Sequence, residues 1–115
     1  MAYTDFSWVK EFPAAVTVCD ADGIILEMND KSAKTFASDG GYALIGQNMF
    51  ECHPGLSREK LERLMESRRE NTYTIEKNGV KKLIHQRPWF QDGKYAGFIE
   101  FSFEIPFDMR HDIHA

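Results

Sequence analysis

The chain has 115 residues, of which 43% are hydrophobic and 28% charged, so it fits one globular domain with a single core. Its net charge of −4 argues against nucleic acid as a partner, because a phosphate-binding surface needs clustered Lys and Arg. No apolar run reaches the roughly 20 residues that span a bilayer, and residues 1–12 lack a signal-peptide pattern. Two cysteines give no disulfide framework. Composition therefore predicts a cytoplasmic domain with neither a membrane nor a nucleic-acid partner.

Residues 1–12 predict an amphipathic helix at the start of the chain. Phe6, Val9 and Phe12 fall on one helical stripe, and Asp5 is a suitable cap. Pro13 ends the helix, because the residue before a proline disfavours helical geometry. We expect this helix to dock on its own domain or on a partner.

The next segment predicts a hairpin followed by a short helix. Apolar residues at 15–19 and 24–28 flank Asp20-Ala21-Asp22-Gly23, and an Asp-Gly pair between two apolar runs is a strong hairpin signal. Asn29 or Asp30 then caps a helix over 31–37. The glycines that follow Asp39 end that helix.

The second half predicts one long helix and three strands. Residues 42–55 are irregular, and the best helix of the chain runs from 57 to 70. Strands follow at 73–76, 80–90 and 95–105, joined by the turn pairs Asn78-Gly79 and Asp92-Gly93. The element order predicts an α+β domain over 13–105, followed by a tail at 106–115.

The order and spacing of several short motifs resemble those of the PAS family of sensory domains. The motifs are Asp20-Ala21-Asp22-Gly23 with its following strand, Leu44-Ile45-Gly46 before the irregular stretch, and Asp92-Gly93-Lys94-Tyr95-Ala96-Gly97 before the last strand. Cys52-His53-Pro54 looks like a subgroup of that family in which these residues precede the long helix. The resemblance implies a five-stranded antiparallel sheet of order 2-1-5-4-3, with helices on one face. It also implies a ligand between that face and the long helix, or a dimer formed by the other face.

Polar residues in the last two strands are the candidate ligand contacts. Alternation places His85, Arg87 and Trp89 on one face of their strand, while Gln86 and its alternating neighbours form the other; either face fits the inside. Glu100 and Ser102 lie on the less apolar face of the last strand, exposed to solvent or lining a pocket beside His85. In the second case, the apolar face of that strand would form a dimer surface. The ligand-binding residues predicted are Met49, His53, His85, Arg87, Trp89, Glu100 and Ser102.

Cofactor chemistry is less well supported by the residues. Haem needs an axial ligand such as imidazole, and only His53 and His85 lie near the predicted pocket. Flavin photosensors of this family use a cysteine in Gly-x-Asn-Cys, where this chain has Met49, so adduct chemistry is disfavoured. Cys52-His53 as a nucleophile and base is a weak hypothesis, because adjacent residues seldom face each other. His111 and His114 supply too few ligands for structural zinc.

The sequence thus predicts a sensory domain, not an enzyme, that binds a small molecule or a protein partner and forms a homodimer. Ligand binding would shift the population between two packings of sheet and helices, and the dimer contact would report it. Since the sequence contains no effector, the output would pass to a downstream signalling protein or be carried by a segment that this sequence does not include. The alternatives are an interaction module with a filled core and a haem-based gas or redox sensor.

Overall fold

The fold is known from a computed structural model that describes residues 7–51 and 56–115, without the side chains of 56 and 57. The strands are β1 (Ala15–Asp20), β2 (Ile25–Met28), β3 (Asn71–Lys77), β4 (Val80–Gln91) and β5 (Lys94–Ile105). They form one antiparallel sheet in the order β2-β1-β5-β4-β3. The predicted fold class and strand order are confirmed.

Among the described residues between β2 and β3 there are two α-helices and two 3-10 turns. They are α1 (Asp30–Thr35), the 3-10 turns Ala37–Asp39 and Gly41–Leu44, and α2 (Leu56–Ser67). Helix α1 ends before the predicted 37, because Phe36 leaves helical geometry and 3-10 turns follow. Helix α2 ends before the predicted 70, because Arg68 adopts a φ of 54°, the left-handed conformation that commonly ends helices. Within the described residues, no helix is long and apolar enough to cross a membrane.

The amphipathic helix predicted at the start of the chain is not seen in its described part. Residues 7–12 form a 3-10 helix at Ser7–Val9 followed by a turn, in which Phe12 N–H donates to the Val9 carbonyl at 3.2 Å. The side chain of Asn29 also donates to the Val9 carbonyl, and Asp30 N–H donates to the Lys10 carbonyl. Tertiary hydrogen bonds therefore use carbonyls that an α-helix would need. Residues 1–6 lie outside the described part.

The three predicted hairpin turns are present, and the conformations of their residues explain why they form. Asn78 and Asp92 have φ values of 54° and 51°, and the glycines after them have 76° and 77°, as in a type I′ turn. In the first hairpin, one carboxylate oxygen of Asp20 accepts hydrogen bonds from Asp22 N–H and Ile24 N–H, each at 2.9 Å. The aspartate thus closes its own turn.

The core contains two clusters on the side of the sheet that carries the helices. In the first, Cys19 and Phe98 pack against Met65 of α2. In the second, Ile25 and Met28 pack against Leu44. Met49 contacts both clusters and connects them.

Candidate ligand site on the inner sheet face

Strand register and helix contacts together define the face of the sheet that carries the helices, called here the inner face. Cys19 lies opposite Phe98, and both pack against α2. Two residues along the same strands, Thr17 lies opposite Glu100. Because directly paired residues of antiparallel strands point to the same side, Glu100 also points to the inner face.

Five side chains form a line of polar groups across this face, called here the polar row. Asn71 donates to Gln86 Oε1 at 2.9 Å, and Gln86 Nε2 donates to Glu100 Oε2 at 2.7 Å. On the other side of Glu100, the Thr17 hydroxyl lies 2.5 Å from that of Ser32 in α1. The polar row therefore runs from the edge strand β3 across β4, β5 and β1 to α1.

The hydrogen bonds of the polar row converge on the carboxylate. Both amides donate toward Glu100, so the Asn71–Gln86 pair is oriented by the acceptor at its end. The side chain of Ser32 has no exposure to solvent, and its recorded partner is Thr17, which lies half-buried beside Glu100. When Ser32 donates to Thr17, the hydroxyl hydrogen of Thr17 is free to point toward the carboxylate or a bound group.

The polar row lies between the places where the two helices contact the sheet. Thr17 contacts α1 through Ser32, whereas Cys19, two residues further along β1, contacts Met65 of α2. Strand β3 is exposed along its length, so the end of the polar row at Asn71, next to Tyr73, is accessible to solvent. We call this stretch of the inner face, which carries the polar row, the cleft.

The surroundings of Glu100 are uncharged on the strands beside it. Burial, with a smaller contribution from Glu100, raises the pKa of the Tyr73 hydroxyl. Burial, with contributions from Asp20 and Glu100, also raises the pKa of the Cys19 thiol. Both groups are therefore protonated and neutral near neutral pH.

Three predicted ligand contacts lie on the opposite, outer face. His85 pairs with Phe101, Arg87 with Ile99 and Trp89 with Gly97, all on alternate positions from Glu100. The grouping of His85 with Glu100 and Ser102 in one pocket is therefore corrected by the register.

The outer-face groups have partners of their own. His85 Nδ1 lies 2.7 Å from the Thr72 hydroxyl, and Arg87 forms an ion pair with Glu70. The indole of Trp89 donates to the Cys19 carbonyl at 2.9 Å, two strands away. These contacts hold the three side chains away from the inner-face cleft.

The other predicted residues differ in their position. Glu100 and Ser102 both lie on the inner face, Ser102 opposite Ile84 and next to the polar row. Met49 packs in the core between the two clusters. His53, like Cys52, lies outside the described residues, so its ligand role and the Cys52-His53 hypothesis stay predictions.

The described residues do not supply a haem ligand to the cleft. His85 points to the outer face, and the remaining described histidines are in the C-terminal tail. Among the described residues no group of three His, Cys, Asp or Glu side chains is placed to hold a metal ion. Within this part of the chain, the polar row therefore provides no set of haem or metal ligands.

Sequence reasoning missed most of the polar row. The sequence pattern does not distinguish Thr17, Ser32 and Asn71 from other polar residues, and it places Gln86 in one of two residue sets of β4 that both fit the inside. The available signal was a threonine between apolar residues in a strand that is otherwise buried. That signal is weak, because a lone threonine is common in strands for its β-branched shape.

Comparison with known families identifies the family of this chain. Residues 9–105 match the family described as PAS fold. The chain belongs to the PAS fold family, whose domains are sensory modules and generally not catalytic. It matches no curated protein. The subgroup suggested by Cys52-His53-Pro54 stays a prediction.

Solved structures share this fold at low sequence identity. The PAS domain of BvgS from Bordetella pertussis has a TM-score of 0.63 at 23% identity, covering 86% of this chain and 82% of that chain. A sensory box sensor histidine kinase from Vibrio cholerae gives 0.64 at 14% identity, covering 90% of each chain. The Aer2 receptor from Vibrio cholerae, a dual PAS-heme oxygen sensor, gives 0.59 at 14% identity, covering 81% and 95%.

Proposed function

We propose that this domain senses a small organic molecule in the inner-face cleft and passes the signal on through its N-terminal segment and a dimer contact. The observation that carries the proposal is the polar row, because it places a carboxylate, two amides and two hydroxyls on the sheet face that would otherwise form the core. Half-buried polar groups on a core face are costly for stability alone and are typical of a binding site.

A filled core would use this face differently. Pure interaction modules gain stability from apolar side chains, such as those of Cys19, Met65 and Phe98 at the α2 contact. Two residues further along the strands, the inner-face positions are polar instead: they are occupied by Glu100, Gln86 and Thr17. This change from apolar to polar within two residues favours a ligand cleft over a module with a filled core.

The route of the signal follows from contacts at Ser32 and Asn29. Ser32 joins the polar row through Thr17, and its backbone N–H donates to the Asn29 side chain at 3.1 Å. The Asn29 amide donates in turn to the carbonyls of Val9 and Ala14, at 3.1 and 2.7 Å. A ligand that shifts Thr17 would therefore act on the N-terminal segment through two side chains.

The homodimer would use the outer face. Its half-buried apolar side chains form a continuous stripe over β1, β5 and β4: Val18, Ile99, Phe101, Phe103 and Leu83. Apolar surface of this kind is typical of contacts between subunits. A second copy or a downstream signalling protein would cover it, and a cytoplasmic location is consistent with this function.

The test is a thermal-shift screen of a metabolite library with the wild type and two matched variants. Ser102→Leu adds bulk beside the polar row, whereas Thr74→Leu makes the same kind of change on the outer face. We expect library compounds that raise the Tm of the wild type and of Thr74→Leu, but not that of Ser102→Leu. A library without any stabilising compound, or equal responses from both variants, would contradict the proposal.

A further inference from the structure

The cleft contains a carboxylate that lacks a counter-charge among the described residues. Glu100 is half-buried in a central strand, and its hydrogen-bond donor is the neutral amide of Gln86 at 2.7 Å. The ion pairs of the described chain all lie elsewhere. Removing a carboxylate from bulk water without a partner of opposite charge is unfavourable, so this position favours a cation.

Three basic side chains on the strands and at the end of the helix around this position do not pair with Glu100. Lys82 is on the inner face, but it pairs with Glu104, which is four residues from Glu100 along β5. The guanidinium of Arg68 stacks over the ring of Tyr95, 4.3 Å from its centre. Arg87 pairs with Glu70 on the outer face. The described basic groups therefore leave Glu100 to a ligand.

The groups around Glu100 accept hydrogen bonds where an organic cation would donate them. A protonated amine has three N–H donors. Glu100 offers its second carboxylate oxygen, and Thr17 offers an oxygen lone pair from the paired position on the neighbouring strand, about 5 Å away between Cβ atoms. A metal ion would need several charged ligands, which the described residues do not group here.

The remaining lining suits the carbon skeleton of such a ligand. Ile84 lies on the same inner face next to the polar row, whereas Phe98, on the other side of the row, is covered by Met65. Tyr73 pairs with Ile84 and presents an aromatic ring at the open end of the cleft, where it can contact a cation or stack on an aromatic ligand. The site thus combines one negative charge with an aliphatic neighbour, Ile84, and an aromatic neighbour, Tyr73.

We propose that the ligand is a small organic cation, such as a protonated amine or a guanidinium compound, and that Glu100 is its counter-ion. This inference rests on the proposed function and names the chemical class of its ligand. Specificity comes from charge and from N–H donors: neutral and anionic analogues of the same skeleton lose the ion pair, and an anion is repelled by Glu100.

The experiment measures binding of charge-matched compounds by calorimetry and thermal shift. The panel contains amines, alcohols and carboxylates on the same skeletons, including phenethylamine, 2-phenylethanol and phenylacetate, together with agmatine. The proteins are the wild type, Glu100→Gln and the control Glu104→Gln, which removes the same charge at an exposed position of β5.

We expect the amines to bind the wild type and Glu104→Gln, and to bind Glu100→Gln roughly ten- to hundredfold more weakly. Equal binding of amines to Glu100→Gln, tighter binding of the alcohols or carboxylates, or no binding of any cation would each overturn the inference. A neutral or anionic compound that binds the wild type but not Ser102→Leu would support the proposed function and contradict the inference that the ligand is a cation. If neither the panel nor the library yields a ligand, both proposals fail together.

Discussion

Asn29 connects three parts of the fold through one buried side chain. It is 3% exposed, and its Oδ1 accepts hydrogen bonds from Val16 N–H and Ser32 N–H at 2.9 and 3.1 Å. Its amide nitrogen donates to backbone carbonyls of the segment before β1. The residue is thus the N-cap of α1 and also holds the N-terminal segment against the sheet.

We expect Asn29→Ala to lower the free energy of unfolding by about 3 kcal/mol, because it removes a helix cap and leaves buried backbone groups without partners. Urea denaturation measures the change. Asn29→Asp is the matched variant: it keeps the acceptor for Val16 and Ser32 but loses the donor to the carbonyls. A loss below about 1 kcal/mol for the alanine variant would show that Asn29 does not hold these parts together.

Gly97 occupies a place where no side chain fits. Its φ is 147°, and a Cβ atom built there would lie 2.0 Å from the carbonyl oxygen of Cys19. The absence of a side chain also lets the Trp89 indole reach across β5 to the same carbonyl. The glycine lies beside an irregularity in the β4–β5 pairing, beyond which Tyr95 packs in the core cluster.

Gly97→Ala is therefore expected to destabilise the domain by about 3 kcal/mol, from overpacking and backbone strain together. The control is Gly93→Ala, which also has a positive φ, 77°, but no atom within 4 Å of the added Cβ. We expect it to cost only about 1 kcal/mol. Equal losses for both variants in denaturant unfolding would mean that the close contact with β1 contributes nothing.

At the scale of elements, α2 packs on the core cluster through the buried Met65, with the half-buried Leu64 beside it. Met65 is 5% exposed and packs with Cys19 and Phe98, whereas its neighbour Glu66 faces solvent. Met65→Ala should lower the free energy of unfolding by about 3 kcal/mol through the lost contacts and the cavity. Glu66→Ala should change it by less than about 0.5 kcal/mol.

Hydrogen exchange by mass spectrometry adds an element-level measurement to this pair. Met65→Ala is expected to speed exchange in α2 more than in β1, because β1 keeps its pairing with β2 and β5 whereas α2 loses its buried contact. Uniform acceleration over the whole domain would indicate instead that α2 and the sheet unfold as one unit.

The sequence predicted elements better than it predicted faces. Asn78-Gly79 and Asp92-Gly93 define their hairpins because a type I′ turn needs two positive φ values, so the strands on either side could be read directly. The face of β4 could not be read, since it carries polar residues on both sides, Gln86 inward and His85 outward. Only the pairing with β5 and the contacts of the helices decide between them.

The N-terminal segment was missed for a related reason. Its geometry depends on tertiary hydrogen bonds, such as those from Asn29 and Asp30 to carbonyls of residues 9–14. A local pattern such as the stripe of Phe6, Val9 and Phe12 cannot report a bond to a residue twenty positions away. The polar row is likewise assembled from four strands and a helix.

At the scale of the whole molecule, the two faces of the sheet have different roles in our proposal. The inner face would bind the ligand, and the outer apolar stripe would bind a second copy. Phe101→Lys places a charge in the middle of that stripe, and we expect the variant to sediment as a monomer at concentrations where the wild type is a dimer.

Glu66→Lys is the control for the dimer, because it adds a lysine at an exposed position of α2. It should leave the sedimentation coefficient of the wild type unchanged. A monomeric wild type, or a Phe101→Lys variant that still dimerises, would contradict the proposed dimer contact on the outer face. Neither result would bear on ligand binding at the inner face.

The most direct test of ligand binding at the polar row is a nitrogen–proton NMR titration that follows side-chain amide groups. Gln86 and Asn71 carry such amides in the polar row, whereas Asn78 and Gln91 carry them at hairpin ends away from it. With a compound that raises the Tm, we predict saturable shifts of the Gln86 and Asn71 amides, followed by Asn29, and none for Asn78 and Gln91. Shifts of the Asn78 and Gln91 amides, with no shift of the Gln86 and Asn71 amides, would contradict ligand binding at the polar row.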